Sequence, residues 1–416
     1  MSDHPSGLPG EALPHRITTQ EAARLLGVKP ATVYAYVSRG QLGSRRDGAG
    51  RGSTFDAAEV EALARRSRRE AAGPAAGELA VRTALTLIED DRYFFRGVDA
   101  VELASRYAYE EVAEWLWTGT LPHGARFTAP PEPLAAARRA VAALPGHSGP
   151  LDRLRVAVAA AAVADPLRFD LSEEAVLGSA RCLIPTLVGA LPEAAPALPG
   201  DGRLAWGLWS RLSPQEPDPA ALDVLDLALA LLVDHDLAAS TLAVRVAASA
   251  RAHPYAVVSA GLGALEGPLH GAAGRLAHRM LAEVAERGGA APVVAEHLRA
   301  GRRVPGFGHR LYRGEDPRAR ALFGRLEELP LAAPALGAAR EVAAVMARHG
   351  LHPNVDLALA VLTLSSGMTA EAGETVFAVA RTAGWIAHAL EEYQERPLRM
   401  RPSGHYTGPR PPRPIP

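Results

Sequence analysis

Three short strings in the last third of the chain carry residue types suited to carbon-acid chemistry. They are Gly267-Pro268-Leu269-His270-Gly271, Gly306-Phe307-Gly308-His309-Arg310 and Pro353-Asn354-Val355-Asp356. Each places a histidine or an aspartate in a bend marked by glycine or proline. A buried aspartate can act as base toward a weakly acidic C–H, while neutral imidazoles donate hydrogen bonds to oxygens that gain charge. His270 lies just ahead of an expected helix, whose N-terminus favours negative charge and a neutral ring; a helix cap is the plain alternative. After His309 come Tyr312, Arg313 and Asp316-Pro317-Arg318, a stretch long enough to turn a guanidinium back toward the imidazole. Arginine suits bidentate clamping of carboxylates. Asn354 reads as a helix cap with Asp356 in the first turn, and a carboxylate entering an apolar stretch has a raised pKa, as a carbon-acid base requires. Arg381, Arg401, Arg245 and Asp234-His235-Asp236 add further charge, although each of these arginines alone reads as a solvated surface charge.

These residues must be positioned by helices. Alanine is abundant, apolar spacing is helical nearly everywhere, and alternating β-branched runs are scarce. Helices are expected over residues 99–118, 220–250, 271–287, 334–349, 356–364 and 371–395, with loops at 130–133, 214–219 and 288–292. A chain of 416 residues can bury a large core and make two or three domains. Its net charge of −1 excludes polyelectrolyte behaviour of the whole molecule. Cys182 is the one cysteine, so no intramolecular disulfide forms, and it reads as a small buried apolar residue in a reducing, cytoplasmic protein. Residues 1–14 have no apolar signal-peptide core. The most apolar run, 222–233, is broken by Asp223 and Asp226 and is too short to span a bilayer. No membrane partner is expected.

The N-terminal residues carry a different pattern. A disordered tail is expected over 1–15, a compact module over 16–70 and a linker over 71–78. Thr18 stands three residues ahead of Glu21, as in a capping box. A first helix stops at Gly27, a turn runs through Lys29-Pro30, and a second helix covers 31–38. Residues 42–55 place Arg45, Arg46 and Arg51 among glycines, as in a two-stranded wing. From Arg39 to Arg69, eight arginines stand against four acids, a net of +4. The pattern T-x-x-E-A-A-x-L-L-G-V-x-x-x-T-V-Y resembles the winged helix-turn-helix of the MerR and excisionase families. The resemblance implies that Thr32, Tyr34, Tyr36 and Arg39 face duplex DNA and that Arg45, Arg46 and Arg51 meet phosphates. A helical protein-interaction module with solvated arginines is the alternative.

The body resembles the citrate synthase family. The strings that carry this are VDHDLAAST-x-x-VR, GPLHG, GFGHRLY-x-x-x-DPRA, PNVD, ARTAGWIAH and RP-x-x-x-YTG, in the family's order. Phe95-Arg96-Gly97-Val98-Asp99 and Tyr109-Glu110-Glu111-Val112 open the pattern upstream, so the likeness runs from about Val81 to Gly408. It implies an all-α fold with a large domain (79–271 and 376–416) and a small one (272–375), preceded by the winged helix-turn-helix. It further implies that Asp356 takes the methyl proton of acetyl-CoA, His270 stabilises the enolate oxygen, and His309 polarises the ketone of oxaloacetate beside His235. Arg318 and Arg381 would hold the carboxylates, joined by Arg401 from the second subunit of a homodimer or higher even oligomer, and Arg313 would meet a CoA phosphate. No metal or cofactor is implied beyond CoA as cosubstrate and product.

Departures from the family pattern bear on the acyl pocket. Leu357 replaces the usual aromatic after PNVD, Gly274 stands where an asparagine is common, and Asp236 replaces a glutamate. Acetyl-CoA, giving citrate, is the leading expectation; propionyl-CoA, giving 2-methylcitrate, is the alternative. A metabolite-sensing DNA-binding regulator with a synthase-like body is the alternative from another class.

Overall fold

The computed structural model describes residues 16–26, 28–38, 42–46, 53–60, 63, 81–195, 200–267, 270–271, 273–402, 405–408 and 412. It divides into two compact units, 1–82 and 83–416. The expected tail 1–15 and linker 71–78 lie outside the described residues, as do Arg39 and Arg51.

In the first unit, β1 (Arg16–Thr18) leads into α1 (Thr19–Leu26), followed by α2 (Pro30–Ser38), β2 (Ser44–Arg46) and β3 (Ser53–Asp56). The capping box is present: Thr18 N donates to Glu21 Oε2 at 2.8 Å and Glu21 N to Thr18 Oγ1 at 3.4 Å. The sheet is antiparallel in the order β1-β3-β2, so the expected two-stranded wing gains a third strand. Ile17, Ala22, Val33, Leu42, Phe55 and Val60 make a small core of their own. Tyr34 is exposed, Tyr36 is half-buried against that core, Thr32 is half-buried, and Arg45 and Arg46 are exposed on β2.

The second unit is helical apart from a small antiparallel sheet, β4 (Thr86–Glu89), β5 (Arg92–Phe95) and β6 (Val98–Asp99). Its two-residue turns hold Asp90, Asp91, Arg96 and Gly97 at φ of 51°, 56°, 49° and 81°, the geometry that matches strand twist in tight hairpins. Next come α3 (Ala100–Arg106), α4 (Tyr109–Thr118), α5 (Pro131–Ala142), α6 (Pro150–Ala164), α7 (Glu173–Ala190), α8 (Leu204–Leu212) and α9 (Pro219–Leu232). They are followed by α10 (Ala239–Ser249), α11 (Pro254–Leu265), α12 (Ala273–Arg287), α13 (Ala290–Arg299), α14 (Pro317–Leu326), α15 (Ala333–Ala347), α16 (Val355–Ser365) and α17 (Ala372–Gln394).

Three expected boundaries change. The helix expected over 220–250 is two helices, broken at 233–238, where Asp236 takes φ 56°. The helix expected over 99–118 breaks at Tyr107 and Ala108, where Glu111 caps Ala108 N at 2.8 Å. Prolines 131 and 292 lie inside the first turns of α5 and α13 rather than in loops, since first-turn amides have no intrahelical partner to lose.

The organising element is α17, buried on nearly every side from Ala372 to Leu390, as a helix at the centre of a core must be. It packs against α4, α7, α9, α10 and α11, while α12 to α16 pack largely on one another. Gly384 lets α17 touch the 233–238 break: a Cβ there would sit 2.2 Å from Val233 O.

Candidate active site

His235, His270, His309, Arg318, Asp356 and Arg381 line one cleft of about 340 Å³, with Phe377, Asn354 and residues 236–238 completing its wall. All but Arg381 come from a break or a helix end. His235 sits in the break between α9 and α10; His270 precedes α12. His309 lies in the loop before α14, Arg318 in the first turn of α14, Asp356 in the first turn of α16, and Arg381 within α17.

The loop bearing His309 is tied to the one bearing Asp356. Asn354 caps α16 by accepting from Asp356 N at 3.0 Å, donates its amide to Gly308 O at 3.0 Å, and its backbone N–H reaches Gly306 O at 2.9 Å. Capping and site-building are therefore one arrangement. Gly306 has φ 81°, and a Cβ there would meet Leu357 Cβ at 2.8 Å. Leu357 is buried against this loop and does not line the cleft.

The imidazoles are held neutral. Burial first, then Arg318, lowers His309 to about 4. Leu311 N donates to His309 Nδ1 at 3.0 Å, so the ring proton sits on Nε2, and Nε2 lies 3.4 Å from Arg318 Nη2. Two donors face one another there, an arrangement that a ligand oxygen would bridge. His235 is pushed well below its usual range by burial and by Arg318 and Arg381, and its Nε2 contacts Tyr312 Oη at 2.7 Å. His270 is lowered by burial and Arg381. Its Nε2 meets Ser240 Oγ at 2.7 Å, and that oxygen accepts from Trp385 Nε1 at 3.4 Å. With one lone pair taken by Trp385, the serine hydroxyl can give its hydrogen to Nε2, the arrangement in which the histidine proton sits on Nδ1.

The charged members complement a dianion. Arg318 is buried and paired with Asp316 at 2.8 Å. Arg381 is buried, donates Nε to Leu232 O at 2.9 Å, and stacks over Phe377 at 4.6 Å. Its Nη2 is buried without a protein partner, and burial lowers its pKa to about 10. A guanidinium with an unused donor in a cleft awaits an anion. Asp356 is raised to about 6 by burial, with Arg318 opposing, so it is a base of useful strength near neutral pH.

Arg401 and Arg313 are exposed and do not line the cleft. The loop at Arg313 is anchored by Asp91 of the β4–β5 turn, which accepts from Arg313 N at 2.7 Å and Gly314 N at 3.1 Å. Residue patterning gives no role to Ser240 and Phe377, whereas Tyr312 stands out after His309 and Asp316 has a local signal in the Asp-Pro start of a helix. Asp234, adjacent to His235, is fully buried. It accepts from Thr86 Oγ1 at 2.5 Å and meets His388 Nε2 at 3.2 Å.

Comparison with known proteins identifies the family of the chain. Residues 75–403 match the family described as citrate synthase, C-terminal domain, and residues 17–68 match the helix-turn-helix domain family. The chain is 32% identical over 358 residues to a citrate synthase of Haloferax volcanii, covering 80% of this chain and 94% of that protein. It is 28% identical over 333 residues to a 2-methylcitrate synthase of Mycobacterium tuberculosis, covering 76% and 84%. The solved citrate synthase of Pyrobaculum aerophilum superposes with a TM-score of 0.68 at 26% identity, covering 90% of this chain and 97% of that one.

Proposed function

The chain belongs to the citrate synthase family, and we propose that it condenses acetyl-CoA with oxaloacetate and then hydrolyses citryl-CoA to citrate and CoA. The single observation that carries this reading is the cleft in which a raised-pKa carboxylate, neutral histidines and two buried arginines converge. In this reading Arg318 and Arg381 bind the oxaloacetate carboxylates. His309 donates Nε2–H to the ketone oxygen, beside His235. Asp356 removes a methyl proton from the thioester, and His270 stabilises the enolate oxygen that forms. The enolate carbon then bonds to the ketone carbon, whose oxygen takes the π electrons and is protonated through His309, balancing the proton Asp356 took from the methyl group. Water then cleaves the thioester C–S bond, leaving citrate and the CoA thiol. This chemistry asks for no metal or organic cofactor beyond the CoA substrate.

We further assign residues 79–271 and 376–416 to a large domain and 272–375 to a small one. The cleft would then lie between them, with His235, His270 and Arg381 on one side and His309, Arg318 and Asp356 on the other. Closure would exclude water from the enolate. Arg401 is assigned to the partner's site in a homodimer, and Arg313 to a CoA phosphate. Support for a covered face comes from Val163, Leu167 and Phe169, which are 79%, 75% and 66% exposed. A cytoplasmic location belongs to this reading, on the single cysteine. Among the described residues no single helix is long and apolar enough to cross a membrane.

Two further readings have specific support: the similarity to a 2-methylcitrate synthase, and the helix-turn-helix match, which favours a DNA-linked role alongside catalysis. Thiol release with oxaloacetate and either acetyl-CoA or propionyl-CoA tests the assignment. Higher kcat/KM for acetyl-CoA is expected; a preference for propionyl-CoA makes the enzyme a 2-methylcitrate synthase, and release with neither removes the condensation reading. Mixing Arg401→Ala with Asp356→Asn chains should restore partial activity through one intact hybrid site, and no rescue despite subunit exchange counts against a shared site.

A further inference from the structure

The Asp316 carboxylate is 1% exposed and has four donors within hydrogen-bond distance. Oδ1 accepts from Arg318 N and Nε, both at 3.0 Å, and Oδ2 accepts from Arg318 Nη2 at 2.8 Å and from Val355 N at 3.0 Å. The first of these caps α14. The last is made to the first residue of α16, immediately before Asp356 and 39 positions away in sequence. Arg318 Nη2, gripped by Oδ2, is also the atom 3.4 Å from His309 Nε2.

We infer that Asp316 is a positioning residue which fixes the anion-clamping guanidinium of Arg318 and the start of the helix carrying Asp356 as one unit. The inference rests on the condensation reading, because it assigns Asp316 to the geometry of that reaction. Its physical content is that one carboxylate sets the distance between where the keto acid is held and where the methyl proton is removed. A guanidinium held along its whole Nε–Nη2 edge by one carboxylate keeps little rotamer freedom, so its remaining donors face the cleft. The bond to Val355 N prevents the base from moving independently of those donors.

The charge of Asp316 also reaches Asp356, whose pKa it raises while Arg318 lowers it. Besides Arg318, the other charged or titratable groups lining the cleft around Asp356 are Arg381 from α17 and His235, Asp236, His270, His309 and Arg310 from loops. These histidines stay neutral through the relevant range because burial and the arginines depress them. Loss of the Asp316 charge therefore lowers the Asp356 pKa.

Steady-state kinetics across pH on full-length Asp316→Asn test the inference. Asparagine keeps the shape but loses the charge and turns one acceptor into a donor. The expected result is a KM for oxaloacetate raised roughly ten- to a hundredfold, the range of a lost charge-assisted hydrogen bond. A lower kcat and an acid limb moved to lower pH should accompany it. A role in folding alone would lower the melting temperature and the active fraction but leave KM and the acid limb in place, and that result overturns the inference. If Asp316→Asn does not fold, Asp316→Glu decides: it keeps the charge but displaces the carboxyl, so a raised KM with an unmoved acid limb is expected, and wild-type KM refutes the inference. If the wild type binds oxaloacetate but turns over neither thioester, the condensation reading fails alone. Oxaloacetate affinity by calorimetry, compared between wild type and variant, then decides for or against Asp316; a wild type that does not bind oxaloacetate overturns both.

Discussion

At the residue scale, the proposed condensation depends on Asp356 being both basic and desolvated. Its pKa of about 6, raised by burial, means that the carboxylate form predominates above that pH and is lost below it. The kcat/KM for the thioester should therefore fall tenfold per unit on the acid side, with an apparent pKa near 6, while His309, lowered to about 4, stays neutral throughout. Asp356→Asn keeps the shape and cannot accept the proton, so turnover should drop about 10²–10⁴-fold with oxaloacetate affinity little changed. Stopped-assay rates and calorimetry on the same preparation check this, and near-normal turnover would remove Asp356 from the base role. That His270, His309 and Asp356 share one cleft was foreshadowed in sequence, because each occupies a Gly- or Pro-marked bend beside other polar groups. Ser240 and Asp316 were not, because a serine near a helix start and an aspartate before proline have sufficient local explanations. Only their partners in space, His270 Nε2 at 2.7 Å and Val355 N at 3.0 Å, set them apart.

At the element scale, helical periodicity located most of the body but missed the places where helices stop. Residues 220–250 read as one apolar helix because both α9 and α10 are core-facing. The break at 233–238 coincides with a tertiary contact that no local pattern encodes, the close approach of Gly384 to Val233 O. The β4–β5 turn is similarly hidden, since Asp90-Asp91 lacks the glycine that usually marks such hairpins. Helix α4 carries a further burden in Glu110, which is fully buried beside Asp226 of α9. Burial and the Asp226 charge raise Glu110 to about 7, and burial raises Asp226 to about 6. Glu110 Oε1 accepts from Leu204 N at 2.8 Å, whereas Oε2 is buried without a partner. Both folded values exceed the unfolded ones of roughly 4, so between about pH 4 and 7 the native state binds more protons and stability falls as pH rises. Glu110→Gln keeps the acceptor for Leu204 N and removes the charge. It should raise the melting temperature at pH 8, by on the order of 1–3 kcal/mol in stability, with the gain shrinking toward pH 5. Melts at the two pH values decide it; an equal or negative effect at pH 8 rejects a destabilising Glu110 charge.

At the scale of the whole molecule, the chain joins two units with separate cores, and all the residues assigned to the condensation lie in 83–416. Deleting residues 1–72 should therefore leave synthase turnover in place. The first unit has the features expected of a DNA-binding module: a capped α1, a following α2 with Tyr34 exposed, and Arg45 and Arg46 on an exposed strand. The net charge of +4 from Arg39 to Arg69 is concentrated in a protein whose overall charge is −1. One such module meets few phosphates, so its affinity alone should be weak. A homodimeric body would tether two modules, and the second contact would then be made at high effective concentration. The expected outcome is duplex binding by the full-length protein that falls steeply with salt, because each neutralised phosphate releases counterions. Alanine at Arg45, Arg46 and Arg51 should weaken it and flatten the salt slope by up to about five units if each of the six arginines in the two modules meets one phosphate. Fluorescence anisotropy at two salt concentrations, on full-length protein, the triple variant and residues 73–416, separates the possibilities. Binding that survives in residues 73–416 would place the nucleic-acid surface on the body, and binding absent or salt-independent in every protein would leave the module as a protein-interaction domain.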